Sequence, residues 1–292
     1  MSLDFSWHLE LARDVAAHYA SRSGVAFIIL GGSAARGETD AWSDLDILVY
    51  WDAPDPAWLE TPPLEQAGAR RFTWRVTFPD EVWLEQYLIG AQKIDVAHCS
   101  LAWWEQIVAE VVDQADPTDW KQGTVGGFLD SVALHGAAGH ERWRRRIAHH
   151  PDALARHMVE SHLFFYPPWV IENQGLARGD LFAFHDVMME AIRNLLAVWA
   201  GLSRVYFAKE KLKRPGRAAE RMAVRPRDAG ARIDALFTLP RERVPAALGA
   251  LITETLDLVD VHRPDVDTAR ARRVFAMTLD PCTGRPAFGR PS

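Results

Sequence analysis

Between residues 5 and 21 apolar positions recur at Leu9, Leu11, Val15, Ala16 and Tyr19 with polar residues between them. That three-to-four spacing predicts a helix with one buried face, ended by Gly24. Val25–Leu30 is wholly apolar and rich in β-formers, and it stops at Gly31-Gly32. A buried strand opening into a turn is expected there, and Leu45–Trp51 predicts a second such strand. Pro54, Pro56, Pro62 and Pro63 can continue neither periodicity and predict a loop. Residues 72–78, 82–89 and 93–100, separated by Pro79-Asp80 and by Gly90-Ala-Gln, predict sequential antiparallel strands.

Beyond Leu101 strand-like runs give way to long amphipathic stretches at 152–165, 181–207 and 244–261, the pattern of a helical unit. The change in character around Asp116-Pro117 and Gly123, Gly126 and Gly127 places a boundary there. The expected organisation is an α+β chain: a mixed-sheet unit over residues 1–118, an all-α bundle over 119–280, and a flexible tail over 281–292. The formal charge of −6 argues against non-specific coating of nucleic acid, which is driven by basic surface. Two cysteines, Cys99 and Cys282, are too few for a disulfide framework or a cysteine-rich zinc site. With no signal-peptide pattern at Met1 and no long uninterrupted apolar run, a cytoplasmic location is expected.

The chemistry concentrates in residues 31–49. A strand running into Gly31-Gly32-Ser33 lets the backbone approach a ligand closely, and a short helix after it would turn amides toward an anion. Ser33 can add a hydroxyl to such a phosphate seat. Asp44 and Asp46, two apart at the start of the next strand, fall on one face, with Leu45 and Ile47 pointing the other way. Two adjacent carboxylates repel unless a cation sits between them, and magnesium held by carboxylates and substrate phosphates fits that need. Asp95, in the apolar setting of Ile94, Val96 and Ala97, supplies a third carboxylate from a neighbouring strand, because an unpaired charge would be costly there.

At Gly32, Ser33, Asp44, Asp46 and Asp95 the sequence resembles the DNA polymerase beta-like nucleotidyltransferase superfamily. The Gly-Ser-Ala-Ala-Arg-Gly form of the loop and the helical second half look like the bacterial antibiotic nucleotidyltransferases of aminoglycoside and lincosamide type. The resemblance implies a mixed sheet carrying Mg2+, with two ions expected. It further implies a helical domain closing over the nucleotide, and transfer of a monophosphate, expected to be AMP from ATP, with release of pyrophosphate. It also implies a glutamate base toward the acceptor hydroxyl, for which Glu85 is the candidate, its facing left open by the unfixed register. Gly31, Arg36, Trp42 and Ser43 of the loop are candidate nucleotide contacts. So are Tyr206, Lys209 and Lys213, in a segment similar to the nucleotide-facing part of such helical domains, where lysine neutralises phosphate charge.

Other features read as structure. The arginines from Arg142 to Arg146 lack a groove-reading motif, and His149, His150, His157 and His162 lack metal-ligand spacing. Most of the twelve tryptophans read as core. The leading expectation is an enzyme that nucleotidylates a hydroxyl of a small molecule bound between the two domains. Nucleotidylation of a protein or RNA end, and a non-catalytic nucleotide-binding module, are the alternatives.

Overall fold

The computed structural model describes residues 7–52, 62–71, 76–78, 82–209 and 212–279. The loop expected around Pro54 and Pro56, the start of the strand expected from Phe72, and the tail after Leu279 lie outside these residues. The chain divides into two compact units, Met1–Pro151 and Asp152–Ser292.

The first unit is built on a seven-stranded mixed sheet. Its strands are β1 (Val25–Leu30), β2 (Leu45–Trp51), β3 (Arg70–Arg71), β4 (Val76–Phe78), β5 (Val82–Ile89), β6 (Gln92–Ser100) and β7 (Val132–His135). The order is β3-β5-β6-β2-β1-β7, with β4 also on β5. Only β2 and β6 run parallel; the other pairs are antiparallel. In the parallel pair Asp46 stands beside Asp95, and in the β5–β6 hairpin Gln86 stands beside Asp95 while Glu85 stands beside Val96.

Each face of the sheet has its own cover. Helix α1 (Trp7–Ala20) buries Ala12, Val15, Ala16 and Tyr19 at helical spacing. They join one core cluster with Leu45, Ile47, Val49, Trp51, Tyr87, Ile94 and Val96. Alternation along the strands sends the intervening residues to the other face. There Phe27 stacks on Tyr50 at 4.4 Å between ring centroids and Trp104 stacks on Phe128 at 4.6 Å. Each of these fully buried side chains contributes about 1.5–3 kcal/mol of hydrophobic stabilisation.

Trp104 comes from the helix Leu101–Val108, whose N-cap Ser100 accepts from the Trp103 amide, and Phe128 comes from the helix Asp119–Leu129. Two expectations change here. Strand structure does not end at Leu101, because β7 pairs with β1, and the sheet unit runs past the boundary expected near 118 to Pro151. β7 is only four residues long with a burial pattern that does not alternate, so it left no period-two signal.

The second unit is helical. Its long helix Leu181–Ser203 starts at Asp180, whose side chain accepts from the Ala183 amide, and stops where Arg204 turns left-handed. The expected helix to Phe207 is therefore four residues shorter at its end. The helix Asp152–His162 crosses it at Gly201, where a Cβ would stand 2.8 Å from the Ala155 carbonyl oxygen. Against the other side packs Val244–His262, with the Trp199 indole donating to Thr255 Oγ1 at 2.9 Å. The Arg193 guanidinium contributes a buried Nε without a partner among the described residues. No helix of the described residues is long and apolar enough to cross a membrane.

Candidate metal centre

β1 ends at Leu30, and the chain turns at once. The Gly31 amide donates to the Asp46 carbonyl at 2.8 Å, which locks the turn against the start of β2. Gly32 then adopts φ +63, and a Cβ there would meet Asp46 Oδ2 at 2.0 Å. Glycine is thus required twice over, by backbone conformation and by the closeness of the carboxylate. A single helical turn, Gly32–Ala35, follows.

The loop that returns to β2 is tied by its own side chains. The Asp40 amide donates to Ser43 Oγ at 2.9 Å, and the Trp42 amide donates to Asp40 Oδ1 at 2.9 Å. Gln92, across on β6, donates to the Ser43 carbonyl at 3.0 Å. Asp44 is thereby delivered to the edge of β2 by a fixed turn. Trp42 projects from the turn and is 94% exposed.

Asp44, Asp46 and Asp95 form a group whose nearest carboxylate oxygens all lie within 4.8 Å of one another, each side chain half-buried. Register explains it: two adjacent parallel strands put Asp46 beside Asp95, and Asp44 joins them one pleat earlier. Two neighbours hold the group in place. Gln86 donates to Asp95 Oδ1 at 3.1 Å, and the Lys93 ammonium bridges Asp44 Oδ2 at 3.0 Å and Asp95 Oδ2 at 2.6 Å. Partial burial would lower the Lys93 pKa, but the hydrogen bonds to Asp95 and Asp44 and their charges outweigh it and hold the ammonium above its ordinary value. A pair of oxygen donors already gathered around a cation, with a third at hand, is the donor set a hard divalent ion takes. Among the described residues this is the one such cluster of three.

Glu85 does not join it. It is 2% exposed on the opposite face, where Tyr19 donates to Oε2 at 3.2 Å and His98 Nε2 lies 3.3 Å from the same oxygen. The Trp51 indole donates to His98 Nδ1 at 3.3 Å, which leaves the Nε2–H tautomer to donate to Glu85. Trp83 stacks on the imidazole at 5.0 Å, with 9° between the ring planes. Burial alone would raise the Glu85 pKa, but the interactions with His98, and after them those with the Tyr87 and Tyr19 hydroxyls, outweigh it and hold the carboxyl below its ordinary value. The expectation of a base beside Asp95 is therefore corrected: the residue that stands beside Asp95 is Gln86. A one-residue difference along a strand reverses the facing.

The remaining candidates divide between the two units. Arg36 pairs with Glu38 at 3.0 Å in the turn after Gly32. Ser43 serves the Asp40 turn, and Ser33 accepts the Glu38 amide through its carbonyl at 2.9 Å. Tyr206, Lys209 and Lys213 belong to the helical unit, just after its long helix; Tyr206 is buried and Lys213 exposed. Sequence reasoning missed Lys93 and Gln86, although the same period-two spacing that joins Asp44 to Asp46 places Lys93 on the face of Asp95.

Residues 12–108 match the nucleotidyltransferase domain family. The N-terminal unit therefore carries a nucleotidyltransferase domain, followed by a helical region, and nucleotidyl transfer is the general activity this supports. Among solved structures, a nucleotidyltransferase-like protein from Exiguobacterium sibiricum is 10% identical, covering 87% of this chain and 78% of that one with a TM-score of 0.39. No curated protein matches the chain.

Proposed function

We propose that this chain is a divalent-metal-dependent nucleotidyltransferase that moves a nucleoside monophosphate, AMP from ATP, to a hydroxyl of a small molecule and releases pyrophosphate. The observation that carries the reading is the convergence of Asp44, Asp46 and Asp95 beneath Gly32 in a domain of the nucleotidyltransferase family. Asp44, Asp46 and Asp95 would hold Mg2+, which, when bound, supplies positive charge where the phosphates develop negative charge.

In the reaction, the acceptor oxygen forms a bond to the α-phosphorus, and the bond from that phosphorus to the oxygen bridging the β-phosphate breaks. The electron pair of the broken bond leaves with pyrophosphate. With Glu85 on the far face, Asp95 is our candidate to take the hydroxyl proton. The backbone from Gly32, with the Ser33 hydroxyl, is the proposed phosphate seat, since the absence of a side chain leaves the Gly32 amide open to approach, while Gly31, whose amide is taken by the Asp46 carbonyl, fixes the turn. Arg36, Trp42, Ser43, Tyr206, Lys209 and Lys213 are proposed nucleotide contacts on the resemblance alone, as are ATP as donor and a small hydroxylated molecule as acceptor.

The test is pyrophosphate release from ATP and Mg2+ with a panel of hydroxylated small molecules, compared with protein and RNA acceptors. Product only with protein or RNA would overturn the small-molecule reading. Magnesium-independent ATP binding with no product from any acceptor would overturn the enzyme reading.

A further inference from the structure

We infer that Lys93 is the resident counterion of the aspartate cluster, a cation that a divalent ion must displace, so that the metal enters with a polyphosphate rather than alone. The inference rests on the metal-dependent reading above and adds a role for a residue which that reading leaves unused.

The Lys93 ammonium touches Asp44 Oδ2 and Asp95 Oδ2, at 3.0 and 2.6 Å. Those carboxylates, with Asp46, have ligand atoms within 4.8 Å of one another. A group that bonds two of the oxygens occupies the small volume in which a divalent ion would bind them, at about 2.0–2.1 Å for magnesium. Two cations cannot share those oxygens from one side without strong repulsion, so one must yield. The ammonium is the mobile partner, because its stem is flexible and its side chain is 32% exposed. Asp95 stays aimed when it leaves, since Gln86 independently holds Oδ1.

Displacement has a consequence for the order of loading. The lysine is anchored in β6 two residues from Asp95, so the freed ammonium remains within side-chain reach of the cluster and has lost both of its anions. A bare divalent ion brings no replacement. A metal–polyphosphate complex does, because the phosphate oxygens pair with the ammonium as the metal takes the carboxylates. Lys93 thus stabilises the metal-free cluster, weakens its affinity for free metal, and favours the metal that arrives on a nucleoside triphosphate.

The test uses the full chain, without nucleotide, and reads free Mn2+ by its electron paramagnetic resonance signal during titration. Lys93→Met is expected to bind Mn2+ alone about tenfold or more tightly than the parent, since a competing charge is gone. It should also melt at lower temperature without metal and gain more from Mn2+. Inorganic tripolyphosphate should tighten Mn2+ binding by the parent more than by the variant. Lys93→Gln, which keeps a donor but no charge, should behave like Lys93→Met and serves in its place should that variant not fold; Lys93→Arg should behave like the parent. If the parent binds Mn2+ and the uncharged variants bind it no more tightly, the role of Lys93 is overturned while the metal reading stands. If neither parent nor variants bind Mn2+ at millimolar concentration, both are overturned.

Discussion

The two faces of the sheet carry carboxylates from neighbouring strands, Glu85 of β5 on one and Asp46 of β2, Asp95 of β6 and Asp44 just before β2 on the other, and their surroundings are built oppositely. On the α1 face Glu85 is 2% exposed, and Tyr19 and His98 are its donors. The His98 tautomer is itself set by Trp51. On the other face Asp44, Asp46 and Asp95 are half-buried, and a flexible lysine supplies the bridging cation. The first grouping is closed: rigid aromatic and imidazole donors satisfy it, and nothing further needs to bind. The second is open to solvent and held by a side chain that can leave. A buried charge with a complete set of donors belongs to architecture, whereas three half-buried carboxylates, two of them bridged by one cation, form a candidate site.

The sharpest break in this comparison is Asp46→Asn, expected to lower pyrophosphate release by about a thousandfold, because it removes a charge that holds the metal. The melting temperature should not fall, since one of three mutually repelling charges is gone. Lost activity together with a lost fold would place Asp46 in architecture instead.

Glu85→Gln should do the reverse, costing about 1.5–3 kcal/mol of stability by removing the charged acceptor of buried hydrogen bonds. The folded pKa of Glu85 lies below its ordinary value of 4.5. The stabilisation is therefore present above that ordinary value and is lost as pH falls through the lower, folded value. Chemical denaturation of parent and variant from neutral pH down should show the gap closing in that acidic window. A gap independent of pH would mean that shape rather than charge is what Glu85 contributes.

Gly32→Ala tests where the two faces meet the turn. It places a methyl 2.0 Å from Asp46 Oδ2 at φ +63, and a cost of about 1–3 kcal/mol is expected from backbone strain, together with weaker Mn2+ binding. Gly31→Ala brings a methyl no closer than 3.3 Å to its neighbours, at Leu48 Cδ1, and should be milder. The smallest effect belongs to Trp42→Ala. At 94% exposure its loss should change stability by less than about 0.5 kcal/mol, so any rise in KM for the nucleotide would mark direct contact.

The first helix, the first two strands and the three aspartates of the first unit were legible in sequence because they rest on local rules. Val25–Leu30 and Leu45–Trp51 are apolar enough to be buried strands wherever they pair, and Asp44 and Asp46 share a face because side chains alternate. Gly31-Gly32 marks a close approach without naming the group approached. The long helices of the second unit follow likewise from a period of 3.6, with ends that depend on single residues such as Arg204.

What tertiary structure alone decided was pairing. Whether Glu85 or Gln86 stands beside Asp95 depends on the hairpin register, and a shift of one residue would exchange the closed face for the open one. β7 is a strand only because β1 offers it an edge, and that pairing keeps residues up to Pro151 with the sheet. The Lys93 bridge needs Asp44 brought to β6 from a loop 49 positions earlier in the chain. Such contacts join residues distant in sequence, so no local periodicity encodes them; they exist only once the strands have found their partners.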